Sequence, residues 1–175
     1  MFVLRTLDKI LRHNKDGAGI KITEELLFLA KNTKNKKAAD KAILFLLENS
    51  NFLTYKQITS LSRSQSVASD EVMLKMQRLL IRHPMVLNED LVYVAKRGVD
   101  FSVAIDAFYL LRGKKNLAVS DVRAIFRGRS NKYLAVTILA EDILLTHPGR
   151  TPKDFRHIKI RQQNRLAAHE SHHQK

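Results

Sequence analysis

Apolar segments recur along this chain at a spacing of slightly more than thirty residues, and this spacing restricts the fold more than any other feature. The segments are ITEELLFLAKN, LTYKQITSLSRS, LNEDLVYVAKRG, LAVSDVRAIFRG and TPKDFRHI. Their first central apolar residues, here called the anchors, follow one another after 32, 33, 31 and 33 residues: Leu26, Ile58, Leu91, Val122 and Phe155. A regular period of this size is typical of helical repeat proteins.

Two helices per period account for the spacing. Within each segment the apolar residues recur after three and four positions, which indicates a helix with one buried face. A second stretch of this kind follows each of the first four segments: KAADKAILFLLEN, SDEVMLKMQRLLIRH, SVAIDAFYLLRG and YLAVTILAEDILLTH. We therefore predict an all-α chain in which residues 1–158 form a single helical-repeat domain, a right-handed solenoid of about four to five two-helix repeats. A compact helical bundle is the alternative.

The residues at the segment boundaries agree with this division. Glycine or proline follows three of the four second helices, and both residues stop helices. Thr54 and Gln57 have the spacing of a capping box, and Pro152 suits a first helical position. Acidic residues at these openings, Asp90 and Asp154 among them, suit the positive end of the helix dipole. The candidate N-caps of the first helices are Thr23, Thr54, Asn88, Ser120 and Thr151.

This arrangement resembles the two-helix repeat arrays, a group that includes HEAT-like, pentatricopeptide-like and leucine-rich-variant proteins. The resemblance covers roughly residues 20–158 and rests on the period and on the pairing of helices. The chain contains no tryptophan, so the tryptophan–glycine–tyrosine pattern of tetratricopeptide repeats is missing. The threonine–proline–leucine–histidine box of ankyrin repeats is missing as well. No family's functional residues are therefore transferred to this chain.

The two ends of the chain differ from the repeats. The N-terminal sequence MFVLRTLDKILRHNK is basic and amphipathic, and we expect it to form a helix. Its apolar face contains Phe2, Val3, Leu7, Ile10 and Leu11. A transit peptide is the alternative, although Asp8 and Asp16 count against it. Residues 159–175 are expected to form a basic, histidine-rich tail that is frayed or disordered.

The chain contains no cysteine. This excludes disulfides, thiolate zinc sites and cysteine nucleophiles. It fits an intracellular protein, and we expect a cytoplasmic or nucleoid-associated location. No apolar run approaches the roughly 18 residues that a membrane-spanning helix needs. We expect no metal site and no cofactor.

The charge of the chain points to an anionic partner. Its 31 lysines and arginines exceed its 17 aspartates and glutamates, which gives a formal net charge of +14. Such a positive field increases the association rate with polyanions. Nucleic acid, DNA or RNA, is the partner that we expect, followed by an acidic protein. An anionic membrane is the least supported candidate.

Four of these cations occupy one position of the repeat, five residues beyond the first four anchors. We call Lys31, Arg63, Lys96 and Arg127 the ladder. Further cations adjoin it: Arg97, Arg129 and Lys132. In stacked repeats, equivalent positions line one edge of the protein. Because cations at helix C-termini also complement the helix dipole, two interpretations remain open: stabilisation of helix ends, and an edge that follows a phosphate backbone.

A second group of cations lies in the sequence RGKKN, at the opposite end of the repeat. It contains Arg112, Lys114 and Lys115. Contact with nucleic acid and simple solvation are both compatible with a basic loop of this kind.

Signals for catalysis are weak. Neighbouring carboxylates such as Glu141 and Asp142 do not face each other on a helix, and no phosphate-binding glycine loop is present. His83 and His147 precede prolines at equivalent repeat ends, where we expect them to cap helices. We therefore predict a non-enzymatic nucleic-acid-binding protein in which the ladder and its neighbouring cations, together with the RGKKN cations, contact the phosphate backbone. A protein–protein interaction adaptor that binds an acidic partner is the alternative.

Overall fold

A computed structural model describes residues 19–64, 67–128 and 132–173 of the protein. Within these ranges the chain is all-α, as predicted, with α-helices, one short 3₁₀ helix and no strand. The helix expected near the N-terminus, over residues 1–16, lies outside the described residues.

The helices alternate in two series. The first series contains α1 (Gly19–Asn32), α3 (Tyr55–Ser62), α5 (Asn88–Arg97) and α7 (Val119–Phe126). The second series contains α2 (Lys36–Glu48), α4 (Asp70–Arg82), α6 (Phe101–Arg112) and α8 (Leu134–Thr146). A 3₁₀ helix, Ser50–Phe52, follows α2, and α9 (Pro152–His173) ends the described chain.

Packing follows the two series. Each helix of the first series packs against the helix that follows it, and α2, α4, α6 and α8 pack one on the next. In the first series α1 contacts α3, and α5 contacts α7. Short connections make sequential helices antiparallel, so helices of the same series run in the same direction. These neighbour contacts are consistent with a helical repeat.

The predicted core face is buried in the four helix pairs. The first four anchors are at most 2% exposed: Leu26, Ile58, Leu91 and Val122. The fifth anchor was wrongly predicted, because Phe155 is 44% exposed whereas Asp154 and Ile158 of α9 are buried. The physical reason is an ion pair: Asp154 faces arginines of α7. Adjacent residues on a helix do not share a face, so Phe155 is turned outward.

The predicted start signals are confirmed in part. Thr54 and Gln57 form the capping box, in which each side chain accepts a hydrogen bond from the backbone amide of the other residue. Pro152 is the first residue of α9. Three other predicted caps are wrong because the helix has already begun where they lie: Thr23, Asn88 and Ser120.

Helix boundaries recur after 64 residues. Helix α7 begins 64 residues after α3, and both contain eight residues. Helix α8 begins 64 residues after α4, and both contain thirteen residues. His83 and His147 follow α4 and α8 at the same interval. The helix pairs α3–α4 and α7–α8 therefore match each other in helix length and position, at an interval that spans the anchor steps of 33 and 31 residues.

Helix α9 continues past residue 158, where the sequence predicted the start of a frayed or disordered tail. The backbone is helical as far as His173. One reason lies in α8, where the buried carboxylate of Glu141 accepts hydrogen bonds from two side chains of α9. Gln162 donates at 2.6 Å, and Arg165 donates at 2.8 and 2.9 Å. These contacts hold the middle of α9 against α8.

Candidate nucleic-acid interface

The ladder cations all lie where a helix of the first series ends. Lys31 and Lys96 belong to the last turns of α1 and α5, whereas Arg63 and Arg127 directly follow α3 and α7. Because these helices run in the same direction, their C-terminal ends share one side of the protein, here called the ladder edge. Helix C-termini attract cations in any case, so position alone does not distinguish the two interpretations.

Arg63 is bound to the next helix of its series. Its guanidinium lies 2.5 Å from the carboxylate of Asp90 and 3.7 Å from that of Glu89, both in the first turn of α5. Asp90 is fully buried, and the hydroxyl of Tyr55 also donates a hydrogen bond to it. Arg63 therefore neutralises a carboxylate that has no access to water.

Arg127, 64 residues after Arg63, repeats this arrangement. Its guanidinium lies 2.7 Å from the carboxylate of Asp154, which is buried in the first turn of α9. Arg123 of α7 binds the same carboxylate at 2.7–3.1 Å through Nε and Nη2. Thr151 donates its backbone amide and its hydroxyl to the carboxylate, both at 2.8 Å. Asp154 thus joins α9 to α7.

These donors change the proton affinity of Asp154. The hydrogen bonds from Arg123, together with those from Thr151, hold the pKa of the Asp154 carboxyl well below its usual range, although burial acts in the opposite direction. The same contact raises the pKa of Arg123. Hydrogen bonds to the charged form favour that form. The carboxylate is therefore ionised at every pH near neutrality.

The two arginines of the ladder are thus structural contacts between successive helices. A buried carboxylate that loses its cation is strongly unfavourable, so neither arginine is available for a ligand that would displace the carboxylate. Both nevertheless reach solvent, because the side chains of Arg63 and Arg127 are 33% and 38% exposed. An anion can approach their outer surface while the ion pairs remain intact.

The two lysines of the ladder differ from the arginines. Within the described ranges, no carboxylate lies at ion-pair distance from Lys31 or Lys96. Lys31 is exposed. The side chain of Lys96 passes Gly128, where an added Cβ would lie only 2.7 Å from Lys96 Cε. Glycine at position 128 therefore leaves the space in which Lys96 lies against the end of α7.

Several of the predicted cations meet in one cleft of about 230 Å³. Its walls are Arg63, Glu89, Val92, Tyr93, Lys96 and Arg97. The guanidinium of Arg63 lies over the ring of Tyr93, 5.3 Å from the ring centre, and the hydroxyl of Tyr93 donates to the carbonyl of Arg63 at 3.4 Å. We call this surface the basic cleft. It brings together three of the cations that the sequence singled out: Arg63, which follows α3, and Lys96 and Arg97, which end α5.

Lys132 adjoins the basic cleft from the following turn. Its ammonium group donates to the carbonyl of Val99 at 2.7 Å, and its backbone amide donates to the carbonyl of Lys96 at 3.1 Å. Its charge therefore lies beside the end of α5 and extends the ladder edge towards α8. Arg129, the other predicted cation of this turn, lies outside the described residues.

The cations of the RGKKN sequence lie elsewhere. Arg112 ends α6, and Lys114 and Lys115 follow it, all three exposed. Because α6 runs antiparallel to α5, its C-terminal end is on the side of the protein opposite the ladder edge. The structure therefore divides the predicted cations between two separate surfaces.

His83 and His147 close the turns after α4 and α8, as predicted. The Nδ1 atom of each accepts a hydrogen bond from a backbone amide two residues further on, that of Met85 at 3.1 Å and that of Gly149 at 3.0 Å. Nε2 of His147 lies 3.1 Å from the carbonyl of Leu117, so this nitrogen carries the proton. In the part of the chain that the structure describes, no cluster of histidine and acidic side chains is able to hold a metal ion.

Tyrosines at the ladder edge contribute to the fold. The hydroxyls of Tyr93 and Tyr133 donate to carbonyls at the ends of α3 and α5. Tyr93 is the tyrosine in the wall of the basic cleft, and Arg63 covers one face of its ring. Tyr109 lies away from this edge, on α6, where it is 50% exposed.

The contacts of Asp90 and Asp154 with the ladder were not predicted, because a carboxylate in the first turn of a helix also suits the positive end of the helix dipole. The separation of these residues in the sequence would have predicted the contacts. Asp90 follows Arg63 by 27 residues, and Asp154 follows Arg127 by 27 residues. A cation and a carboxylate at the same interval in two repeats predict a contact between successive helices.

Among the described residues, no helix combines the length and the apolar composition needed to cross a bilayer. Comparison of the chain with protein-family models, with curated proteins and with solved structures gives no match.

Proposed function

We propose that this chain is a non-enzymatic nucleic-acid-binding protein that holds the phosphate backbone at its ladder edge. The observation that carries the proposal is the basic cleft, in which Arg63, Lys96 and Arg97 line one concave surface. Lys31 and Lys132 extend the positive surface along the same edge. Cations that neutralise phosphates supply most of the affinity in non-specific binding.

The ion pairs assign different roles to the cations of this edge. Arg63 is held in place by Asp90, so it presents a fixed outer surface to a ligand. Lys96 is partly exposed and has no carboxylate at ion-pair distance among the described residues, so its ammonium group can bind a phosphate without breaking an ion pair. Glu89 lies in the same cleft with its side chain 70% exposed. It therefore remains hydrated and opposes an anion only weakly.

The contact between Arg63 and the ring of Tyr93 favours phosphate contact over base stacking. Single-strand binding proteins stack bases on exposed aromatic faces, but Arg63 lies over the ring of Tyr93. Phosphate contacts position a nucleic acid without reading its sequence. The proposal therefore includes DNA and RNA, with little dependence on base sequence.

We also propose that the two helix series form a right-handed solenoid of about four to five two-helix repeats. The recurrence of helix boundaries after 64 residues and the contacts within each series support this arrangement. A solenoid places the ends of α1, α3, α5 and α7 in a row, as a binding edge for an extended phosphate backbone requires.

The proposal is tested by fluorescence anisotropy with labelled single- and double-stranded DNA and RNA over a range of salt concentrations. The test variant is Lys31→Gln/Lys96→Gln/Arg97→Gln. The matched control, Arg112→Gln/Lys114→Gln/Lys115→Gln, removes the same charge from exposed positions on the side of the protein opposite the ladder edge.

Each lost phosphate contact on duplex DNA reduces the slope of log affinity against log salt by about 0.9. We expect the test variant to lose a slope of about 2–3, whereas the control keeps nearly the wild-type slope. Equal slopes for the two variants would show that the total charge, and not the ladder edge, determines binding. Absence of binding by the wild type at physiological salt would refute the proposal.

A further inference from the structure

A second concave surface lies between the C-terminal ends of α4 and α6. This cleft has a volume of about 440 Å³ and is lined by Ile81, Arg82, Asp106, Tyr109 and Leu110. Tyr109 and Leu110 are adjacent on α6, and they are 50% and 44% exposed. Large apolar side chains that are grouped at a concave surface and rimmed by polar residues mark interaction sites.

Four cations lie in or next in sequence to the lining of this cleft, here called the α4–α6 cleft, and we call them its basic rim. Arg82 is exposed in its wall, and Arg112, Lys114 and Lys115 are exposed just beyond Leu110 in the chain. The acidic residue of the lining is Asp106. The surface thus combines an apolar floor with several cations and one carboxylate.

We infer that the α4–α6 cleft docks an acidic, amphipathic segment of a partner protein. The segment inserts an aromatic or aliphatic side chain against Tyr109 and Leu110, and its carboxylates pair with the basic rim. An anchor in an apolar pocket supplies most of the energy of such contacts, and complementary charge at the rim supplies orientation and association rate. This site is separate from the basic cleft, since α6 ends on the opposite side from α5.

Two other occupants fit less well. A nucleic acid presents phosphates to the rim but has no aliphatic group for the floor formed by Ile81 and Leu110. A second copy of the chain carries the same positive rim and a net charge of +14, which opposes association. An acidic amphipathic protein segment satisfies both the apolar floor and the cationic rim.

The inference is tested by selecting short random peptides displayed on phage against the full chain, followed by affinity measurement with synthetic peptides. The apolar variant is Tyr109→Ser/Leu110→Ser, and its control is Phe28→Ser, which changes a side chain that is 70% exposed on α1. The charge variant is Arg112→Gln/Lys114→Gln/Lys115→Gln, and its control is Lys56→Gln/Lys153→Gln/Lys159→Gln. Thermal unfolding establishes that each variant is folded.

We expect the selected peptides to be rich in aspartate and glutamate around an aromatic or aliphatic residue. The apolar variant should lose at least about tenfold in affinity, the charge variant should lose affinity mainly at low salt, and both controls should bind as the wild type does. Peptides without this composition, no selected peptides, or equal losses in variants and controls would overturn the inference. It would also be overturned if sedimentation showed a wild-type dimer that Tyr109→Ser/Leu110→Ser converts to a monomer.

Discussion

Replacing Asp154 with asparagine tests the contact that joins α9 to the remainder of the fold. Asparagine has nearly the same shape, but it removes the negative charge and turns one acceptor oxygen into a donor amide. The side chain of Asp154 is 1% exposed, and it accepts hydrogen bonds from Arg123, Arg127 and Thr151. After the substitution, the two guanidinium groups face each other without a counterion.

The expected loss of stability follows from these contacts. Removing one partner of a buried ion pair typically costs about 3–5 kcal/mol. The arginine side chains are 24% and 38% exposed, so they regain part of their hydration when the carboxylate charge is removed. We therefore expect a smaller loss, of about 2–4 kcal/mol, in the free energy of unfolding. For a chain of this length, this corresponds to a decrease of about 5–12 °C in Tm.

The dependence on pH separates the charge from the shape of the side chain. The pKa of Asp154 is lowered in the folded protein, so the ionised carboxylate contributes stability above the unfolded aspartate pKa of about 3.9, and this contribution is lost as pH falls through the lowered value. The difference in stability between wild type and Asp154→Asn should stay constant from about pH 7 to pH 5 and decrease below about pH 4.

The assay is denaturant unfolding followed by circular dichroism, combined with hydrogen exchange. In a helical repeat each unit contacts only its neighbours, so amides of α9 should exchange faster in the variant while those of α1 and α2 are unchanged. Asp142→Asn is the control, since Asp142 is an exposed aspartate of α8. A loss below about 0.5 kcal/mol for Asp154→Asn, as expected for an ordinary surface change, would refute the structural role of this carboxylate.

Two further substitutions test packing. Gly98→Ala should cost about 1–3 kcal/mol, because the new methyl group would lie 2.8 Å from the carbonyl oxygen of Val94. Gly113→Ala, whose nearest neighbours lie at 3.5 Å or more, should be tolerated in the same unfolding assay. Glu141→Gln weakens the contacts with α9, so the free energy of unfolding should decrease by about 1–3 kcal/mol. The ellipticity at 222 nm should decrease as well, because part of α9 loses its helical structure. Unchanged ellipticity would show that the C-terminal half of α9 is stable without this contact.

The helices and their pairing were predictable because they depend on local periodicity. Leu26, Ile58, Leu91 and Val122 are each the apolar centre of an amphipathic segment, and such a residue is buried whatever the neighbouring repeat contains. The capping box of Thr54 and Gln57 is equally local, since both residues lie within one helical turn. These features could be predicted from a window of about a dozen residues.

The orientation of α9 was not predictable in this way. Phe155 fits the apolar pattern of the earlier anchors, but the helix is turned by Asp154, which binds Arg123 and Arg127 at separations of 31 and 27 residues. Contacts over this distance depend on how repeats stack. The apolar pattern of one segment therefore does not predict these contacts.

The roles of the ladder cations were also hidden in the sequence. Lysine and arginine occupy the same repeat position, and both suit a helix C-terminus. The structure distinguishes them, since Arg63 reaches a buried carboxylate of α5 and Arg127 reaches one of α9. Arginine offers a planar group with several donors for such a carboxylate, whereas lysine offers a compact charge. At this repeat position, arginine thus indicated an ion pair between helices, and lysine indicated a cation without a carboxylate partner.

We propose that cations of the ladder edge without a carboxylate partner, such as Lys96, bind nucleic acid, while Arg63 and Arg127 hold neighbouring helices together. The most direct test compares Lys96→Gln with Arg127→Gln, measuring for each the Kd for a labelled duplex at physiological salt and the free energy of unfolding. We predict that Lys96→Gln weakens binding at nearly unchanged stability, whereas Arg127→Gln lowers stability and leaves the Kd of the folded protein nearly unchanged. Weaker binding for Arg127→Gln together with unchanged binding for Lys96→Gln would contradict the account.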